Sequence, residues 1–307
     1  MTNSNRWFVI VNPTSGNGSS KRKWPKIKAE LESHAFDFDF AFTKYANHSK
    51  ELVQHAIKQG FTKIISIGGD GTLHNIINGV QSQKKVNSSS IQIGVIPIGT
   101  GNDWIKTHGI PLNIKRAISI LKKGNVKLQD LGKIDFIDEP RGAIYFNNLA
   151  GVGFDGFVVS KVGKFKHLGA LAYLIGAIAG LFSFKNFQSS IIINDQEIQT
   201  KSLMVLAGLC TYSGGGMRLT KEPNPFHGFL DVSIAKDLGK LDIIKNLSNL
   251  FNGKIIKHPK VESYKVKDLS IIINSENKPF IQADGELIGT GNINISIVPE
   301  AFSFFSN

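Results

Sequence analysis

Three short glycine-rich stretches hold most of the side chains in this sequence that could do chemistry. They are Asn12-Pro13-Thr14-Ser15-Gly16, Gly68-Gly69-Asp70-Gly71-Thr72 and Gly99-Thr100-Gly101-Asn102-Asp103. Glycine turns are common for steric reasons alone. These three differ in offering backbone amides beside polar side chains, each just after a strand-like run. The first presents the hydroxyls of Thr14 and Ser15, the Asn12 amide and the backbone donors around Gly16, a set suited to a phosphate chain. In the second, glycines on both sides of Asp70 let the backbone approach a ligand closely, and the carboxylate can meet Mg²⁺ or a reacting hydroxyl. Thr72 could equally cap the helix that follows, and Asp103 has the same ordinary role open to it. Two later acids, Asp284 and Glu286, flank Gly285 after the run Phe280-Ile281-Gln282-Ala283. Taken alone, that pair reads as an exposed turn.

The spacing excludes two common phosphate-binding motifs. Asn12 to Gly16 has too few residues for a Gly-x4-Gly-Lys-Ser/Thr loop, no lysine follows Gly16 directly, and no Gly-x-Gly-x-x-Gly is present here.

The elements that must position these groups change character along the chain. Trp7 to Val11, Phe36 to Phe42, Lys63 to Ile67 and Ile91 to Ile96 read as strands. Trp24 to His34, Ser49 to Gln59, Thr72 to Val80 and Ile114 to Lys123 read as helices. Strand and helix in alternation predict a mostly parallel sheet covered on both faces, with the three turns along one edge, where open α/β folds bind phosphorylated ligands. From about Val126, short β-runs dominate: Gly142 to Leu149, Ser190 to Asn194, Ile198 to Thr200, Leu203 to Leu209, Leu230 to Ala235, Leu269 to Asn274, Phe280 to Ala283 and Asn292 to Pro299. They predict an antiparallel, sandwich-like second domain with two inserted helices. The uncharged run at 167–184 is at the short edge of a membrane span, contains three glycines and lies between strands of one domain. A buried or groove-lining helix, walling an acyl-chain pocket, is the reading adopted.

The chain has 307 residues and a formal net charge of +12. Basic character favours anionic partners. The lysines are scattered in small groups and no basic recognition helix or RNP-like strand is present, which argues against nucleic acid. A solvated surface and weak attraction to an anionic membrane both fit. The single cysteine, Cys210, excludes an internal disulfide, and no amino-terminal signal is visible, so the expectation is a cytoplasmic protein.

The three turns with their flanking text, Phe146-Asn147-Asn148-Leu149-Ala150-Gly151-Val152-Gly153-Phe154-Asp155, Gly214-Gly215-Gly216-Met217 and Asp284-Gly285-Glu286 resemble the diacylglycerol kinase catalytic-domain family, which includes bacterial lipid kinases and the sphingosine and ceramide kinases. The likeness is collinear over essentially the whole chain. It implies an α/β nucleotide domain (1–125, with about 298–307 returning to it), a β-sandwich lipid-substrate domain (126–297) and an active site in the cleft between them. It implies ATP and Mg²⁺, a membrane lipid as substrate, peripheral contact with an anionic membrane surface, and admits a homodimer.

Residue by residue, the resemblance implies nucleotide contacts at Asn12, Pro13, Thr14, Ser15, Gly16, Thr43, Gly68, Gly69, Asp70, Gly71, Thr72, Thr100, Gly101 and Asn102. It implies Glu286 as general base, Asp284 as its partner or a metal-water contact, and Asp70 as the Mg²⁺-phosphate carboxylate. In the sphingosine-kinase branch the base role belongs to the acid of the early glycine turn, so these roles could be exchanged. The sequence departs from the family after Gly216: Lys221 stands where proline is expected and His227 where an acid helps hold a structural Mg²⁺. An imidazole is a poor ligand for that hard ion. No such structural metal is expected, and diacylglycerol itself is disfavoured as substrate. An NAD kinase shares the Gly-Gly-Asp-Gly-Thr turn but should also carry an Asn-Glu pair and a Gly-Ser-Thr-Ala-Tyr segment, both missing here. A non-catalytic nucleotide- or lipid-binding regulator is the other alternative, against which every acid the chemistry needs is retained.

Overall fold

A computed structural model describes residues 6–99, 101–139, 141–162, 180 and 183–307. Thr100 and nearly all of the apolar run at 167–184 lie outside the described residues. Among the described residues, no helix is long and apolar enough to cross a membrane. The chain divides into two compact units, Met1–Gln129 with Glu300–Asn307, and Asp130–Pro299.

The first unit alternates as its sequence pattern predicts: β1 (Trp7–Val11), α1 (Ser19–Ser33), β2 (Phe38–Phe42), α2 (His48–Lys58), β3 (Lys63–Gly68), α3 (Asp70–Ser82), β4 (Gln92–Pro97), a short α4 (Asp103–Thr107) and α5 (Ile114–Lys123). Strands β1, β3 and β4 are almost wholly buried, as strands covered on both faces must be. All pairings among these strands are parallel, in the order β4-β3-β1-β2. The last residues of a long strand near the carboxyl terminus, Ser303 and Phe304, add in parallel beside β4. Trp24, Ile27 and Leu31 of α1 pack with Val9, Val11, Ile65, Ile67 and Ile96. Helix α1 starts five residues before the expected Trp24 and carries Pro25 inside it.

One half-buried histidine gives this unit a pH dependence. The ring of His108 lies tilted against Trp104 and edge-on to Phe304, with centroids 4.4 and 4.6 Å away. Burial lowers its pKa from 6.5 to about 4, against a hydrogen bond with Gln129 that works the other way. Folding therefore favours the neutral ring. Its contribution is complete above pH 6.5 and is lost as pH falls from 6.5 to 4, by up to about 3 kcal/mol. The unfolding free energy of wild type minus that of His108→Phe should fall across this window; a flat difference would remove His108 as the cause.

The second unit is antiparallel. Along the chain come β5 (Val126–Phe136, which begins in the first unit), β6 (Ile144–Phe146), β7 (Leu149–Gly153), α6 (Phe154–Val162), β8 (Phe187–Ile193), β9 (Gln196–Gly208), β10 (Leu230–Lys236), α7 (Lys240–Lys245), α8 (Leu247–Asn252), β11 (Val261–Val266), β12 (Asp268–Ile273), β13 (Phe280–Ala283), β14 (Glu286–Thr290) and β15 (Ile293–Phe305). Strand β9 organises the unit. Its first half pairs with β8, and its second half pairs with both β7 and β10. β13 lies between β7 and β14, and β12 between β8 and β15.

Candidate functional site

Because β1, β3 and β4 are adjacent and parallel, the turns that follow them emerge side by side at one sheet edge. The ladder continues one bond past each strand. Thr43 N donates to Val11 O at 2.9 Å, Asn12 N to Ile67 O at 2.9 Å, and Ile98 N to Gly68 O at 2.8 Å. Thr43, Asn12, Gly69 and Gly99 thus follow four neighbouring strands in one row.

The turns are also fastened to one another. Asn12 Oδ1 accepts from Thr14 N at 3.2 Å and from Thr14 Oγ1 at 2.9 Å, while its Nδ2 donates to Thr72 Oγ1 at 3.0 Å. Asn12 is therefore a clip between the first two turns, and the hydroxyl of Thr14 is the exposed polar group it presents. Pro13 and Ser15 are half-buried beside it. Gly16 turns left-handed at φ +60°. Thr72 is 4% exposed, and a Cβ on Gly68 would fall 2.3 Å from its Oγ1. A Cβ on Gly99 would stand 3.0 Å from Gly69 Cα, so the second and third turns meet backbone to backbone. Only glycine permits that approach.

Asp70 opens α3, a helix of 13 residues, at this edge. Its Oδ2 accepts from Asp103 N at 2.8 Å, which ties the second turn to the third. Asn102, in the left-handed region and buried, donates from Nδ2 to Gly99 O at 2.9 Å. Asp103 is buried and pairs with Lys106 at 2.7 Å, the ordinary outcome for an acid at a helix start. Gly71 lies in the first turn of α3, and Gly101 just before α4. Backbone donors, a helix amino terminus and hydroxyls at one edge are the kinds of group that suit an anion. Among the described residues no group of three or more His, Cys, Asp or Glu is arranged to hold a metal ion. A single carboxylate among glycine amides does fit Mg²⁺ carried by a nucleotide, since that ion is usually held by one or two carboxylates together with phosphates.

The late acids belong to the second unit. Ala283 pairs with Glu286, and the two residues between them, Asp284 and Gly285, have φ of +51° and +79°. An Asp-Gly pair with both φ positive is the tight hairpin turn that suits strand twist. Asp284 does not simply face solvent. Its carboxylate accepts from the amides of Asn147 (3.1 Å), Asn148 (2.9 Å) and Leu149 (3.2 Å), and its own N donates to Leu149 O at 2.9 Å. It therefore anchors the hairpin, while Glu286, at the first residue of β14, is half-buried.

Two further residues hold this hairpin, and the sequence pattern did not single out either. Gln282 Oε1 accepts from Gly285 N at 2.8 Å, and its Nε2 donates to Asp155 Oδ2 at 2.8 Å. The carboxyl of Asp155 lies over Gly151, where a Cβ would come 1.9 Å from Oδ2. Burial raises its pKa from 3.8 to about 6, opposed by the Gln282 hydrogen bond and local amides. The folded state thus binds this proton more tightly than the unfolded chain. The cost is absent below pH 3.8 and grows as pH rises to 6, reaching about 3 kcal/mol. Asp155→Asn should raise stability by up to that amount at pH 8 and by little at pH 4. Equal gains at both pH values would contradict the assignment.

The remaining motifs are structural in form. Gly214, Gly215 and Gly216 all have positive φ, in a loop closed by Ser213 N to Met217 O at 3.0 Å and the reverse bond at 2.8 Å. In the turn that follows, Asp231 accepts from the amides of Lys221 and Glu222, and Asp130 accepts from Gly228 N. His227 is exposed there, its Nε2 3.2 Å from Asn224 Nδ2.

Known proteins show the same organisation. Residues 6–134 match the diacylglycerol kinase catalytic domain, and residues 148–306 the YegS C-terminal NAD kinase beta sandwich-like domain. The diacylglycerol kinase of Staphylococcus saprophyticus is 30% identical over 285 residues, covering 92% of this chain and 88% of that protein. That of Staphylococcus carnosus is 30% identical over 287 residues, with the same coverage of 92% and 88%. A crystal structure of a diacylglycerol kinase from Bacillus anthracis str. Sterne superposes with a TM-score of 0.72 at 23% identity, covering 100% of this chain and 98% of that one. At that identity the likeness establishes the α/β plus β-sandwich-like fold.

Proposed function

The chain belongs to the diacylglycerol kinase catalytic-domain family, and from that premise we propose that it transfers the γ-phosphate of ATP to the hydroxyl of a membrane lipid, diacylglycerol-like or a related alcohol. The observation that carries the reading is the meeting of three glycine turns and Asp70 at the carboxyl ends of adjacent parallel strands.

In this reading the amides of the first two turns, with Thr14, Ser15 and Thr43, bind the nucleotide and its phosphate chain. Asp70 would hold Mg²⁺ with those phosphates, where the ion offsets charge on the transferring group. Glu286 takes the proton from the attacking lipid hydroxyl as the new P–O bond forms and ADP departs with the old one. Asp284 keeps the hairpin that bears Glu286 fixed against the Asn147–Leu149 backbone. The exposed imidazole of His227 supports a site without the family's structural Mg²⁺.

The test supplies γ-labelled ATP with Mg²⁺ and offers lipid alcohols in mixed micelles in one arm and NAD in another. Label should enter an organic-extractable product. NADP formation, or label released only as inorganic phosphate, would overturn the reading.

A further inference from the structure

Residues 239–260 of the second unit carry five lysines against one acid, Asp242. Asp242 is already engaged, accepting from Gly239 N at 3.0 Å and Lys260 Nζ at 3.0 Å. Helix α7 is fixed to the unit through Ile243, which packs with Leu203, Ala235 and Leu238. Its other apolar residues face away from that core: Leu241 is 69% exposed and Ile244, three residues on, 37%. In α8, Phe251 is 41% exposed.

Single exposed apolar residues are ordinary on a protein surface. Three large ones within eleven residues, interspersed with and followed by the exposed Lys245, Lys254 and Lys257, form the pattern of a segment that lies in a bilayer interface. Beside α7 a cavity of about 360 Å³ has Lys185, Lys201 and Lys240 on its wall together with the apolar Phe184, Leu203 and Leu238. Lys201 is paired with Asp237 at 3.2 Å, but a lining that mixes apolar side chains with lysines is still the complement of a phospholipid's acyl-glycerol region and phosphate.

We propose that the α7–α8 segment is a docking surface for an anionic phospholipid bilayer, with Leu241, Ile244 and Phe251 entering the interface and the lysines facing lipid phosphates. The proposal rests on the reading that the acceptor is a membrane lipid, and it places the interfacial contact in residues 240–257. Charge complementarity and exposed apolar side chains together select the occupant: lysines beside Leu241, Ile244 and Phe251 match anionic headgroups over acyl chains, and a neutral bilayer would not use the charge.

The experiment is co-sedimentation of the full chain with vesicles of phosphatidylcholine, alone or mixed with phosphatidylglycerol. The wild type should bind the mixed vesicles more tightly, and added salt should weaken that preference. Lys245→Glu/Lys254→Glu/Lys257→Glu should lower binding to mixed vesicles by roughly a hundredfold, given about one well-placed lysine contact each. Leu241→Ser/Phe251→Ser should weaken binding to both vesicle types. Each variant should keep the wild-type melting temperature and its turnover on a detergent-dispersed lipid. Unchanged vesicle binding by both variants would overturn the docking surface. So would loss of a homodimer in the Leu241→Ser/Phe251→Ser variant with vesicle binding retained. Failure of the kinase reading would appear separately, as absent phosphate transfer by the wild type on dispersed lipid.

Discussion

Glu286→Gln is expected to lower kcat by about 10²–10⁴-fold, the usual contribution of a positioned general base, with nucleotide affinity close to wild type. Glutamine keeps the size and shape of the side chain but has no basic oxygen at neutral pH. The hairpin should survive, because its geometry comes from Asp284 and Gly285, from the Ala283–Glu286 register and from the three amides on the Asp284 carboxylate. Asp284→Asn is a useful contrast, since one amide oxygen cannot replace a carboxylate that accepts three backbone bonds. That variant should lose stability as well as turnover, whereas Glu286→Gln should lose turnover alone. The two are compared by single-turnover phosphate transfer beside thermal unfolding. Near-normal transfer by Glu286→Gln would move the base to another residue, Asp70 first.

Asp70→Asn is the second variant with a large expected effect. Asparagine can still accept from Asp103 N, so the tie between the second and third turns is kept. What is lost is a negative charge at the start of α3, where the reading places Mg²⁺ and the transferring phosphate. Removal of one aimed electrostatic contact costs about 10²–10³ in kcat. The drop should appear in kcat, with a weaker dependence on Mg²⁺ concentration. If Asp70→Asn instead kept full turnover and the wild-type Mg²⁺ dependence, the phosphate site would have to lie elsewhere.

How far the residues announced this structure depends on how local the cause is. The three glycine turns were legible because a steric requirement stays in the sequence: Gly99 and Gly69 meet at the backbone, and Gly68 makes room for Thr72. The α/β alternation of the first unit and the β-rich character of the second followed from hydrophobic period. Long-range causes were not legible. Gly142 to Leu149 reads as one run but forms β6 and β7, because the amides between them turn to Asp284, more than 130 residues away. Ile198 to Thr200 and Leu203 to Leu209 read as two strands but form β9, whose partner on one side changes from β8 to β7 near Ser202. β5 was missed because Gly132 interrupts its pattern. A Cβ there would fall 2.0 Å from the Phe146 ring that crosses it on β6. β11, Val-Glu-Ser-Tyr-Lys-Val, is mostly polar and among the described residues pairs with β10 alone, so it lacks the apolar run that marked the other strands. α4, at five residues, is too short for any period to show.

In the site itself, the polar turns were visible and their fastenings were not. Asn12 reads as a phosphate ligand, and the structure adds that its amide clips Thr14 to Thr72. Asp284 reads as a partner of the base or a metal-water contact, and its carboxylate also accepts from three backbone amides, which no spacing announces. Gln282 and Asp155 lie within stretches the sequence marks, but nothing there shows that they meet, since a hydrogen bond across 127 residues leaves no spacing to read.

The most direct measurement is transfer of labelled γ-phosphate from ATP to a total lipid extract, with mass spectrometry of every labelled product. The account predicts one class of phosphorylated hydrophobic alcohol, formed with Mg²⁺ by the wild type and nearly absent with Asp70→Asn or Glu286→Gln. Label found in no lipid at all, with ATP turnover unaffected by either substitution, would contradict it.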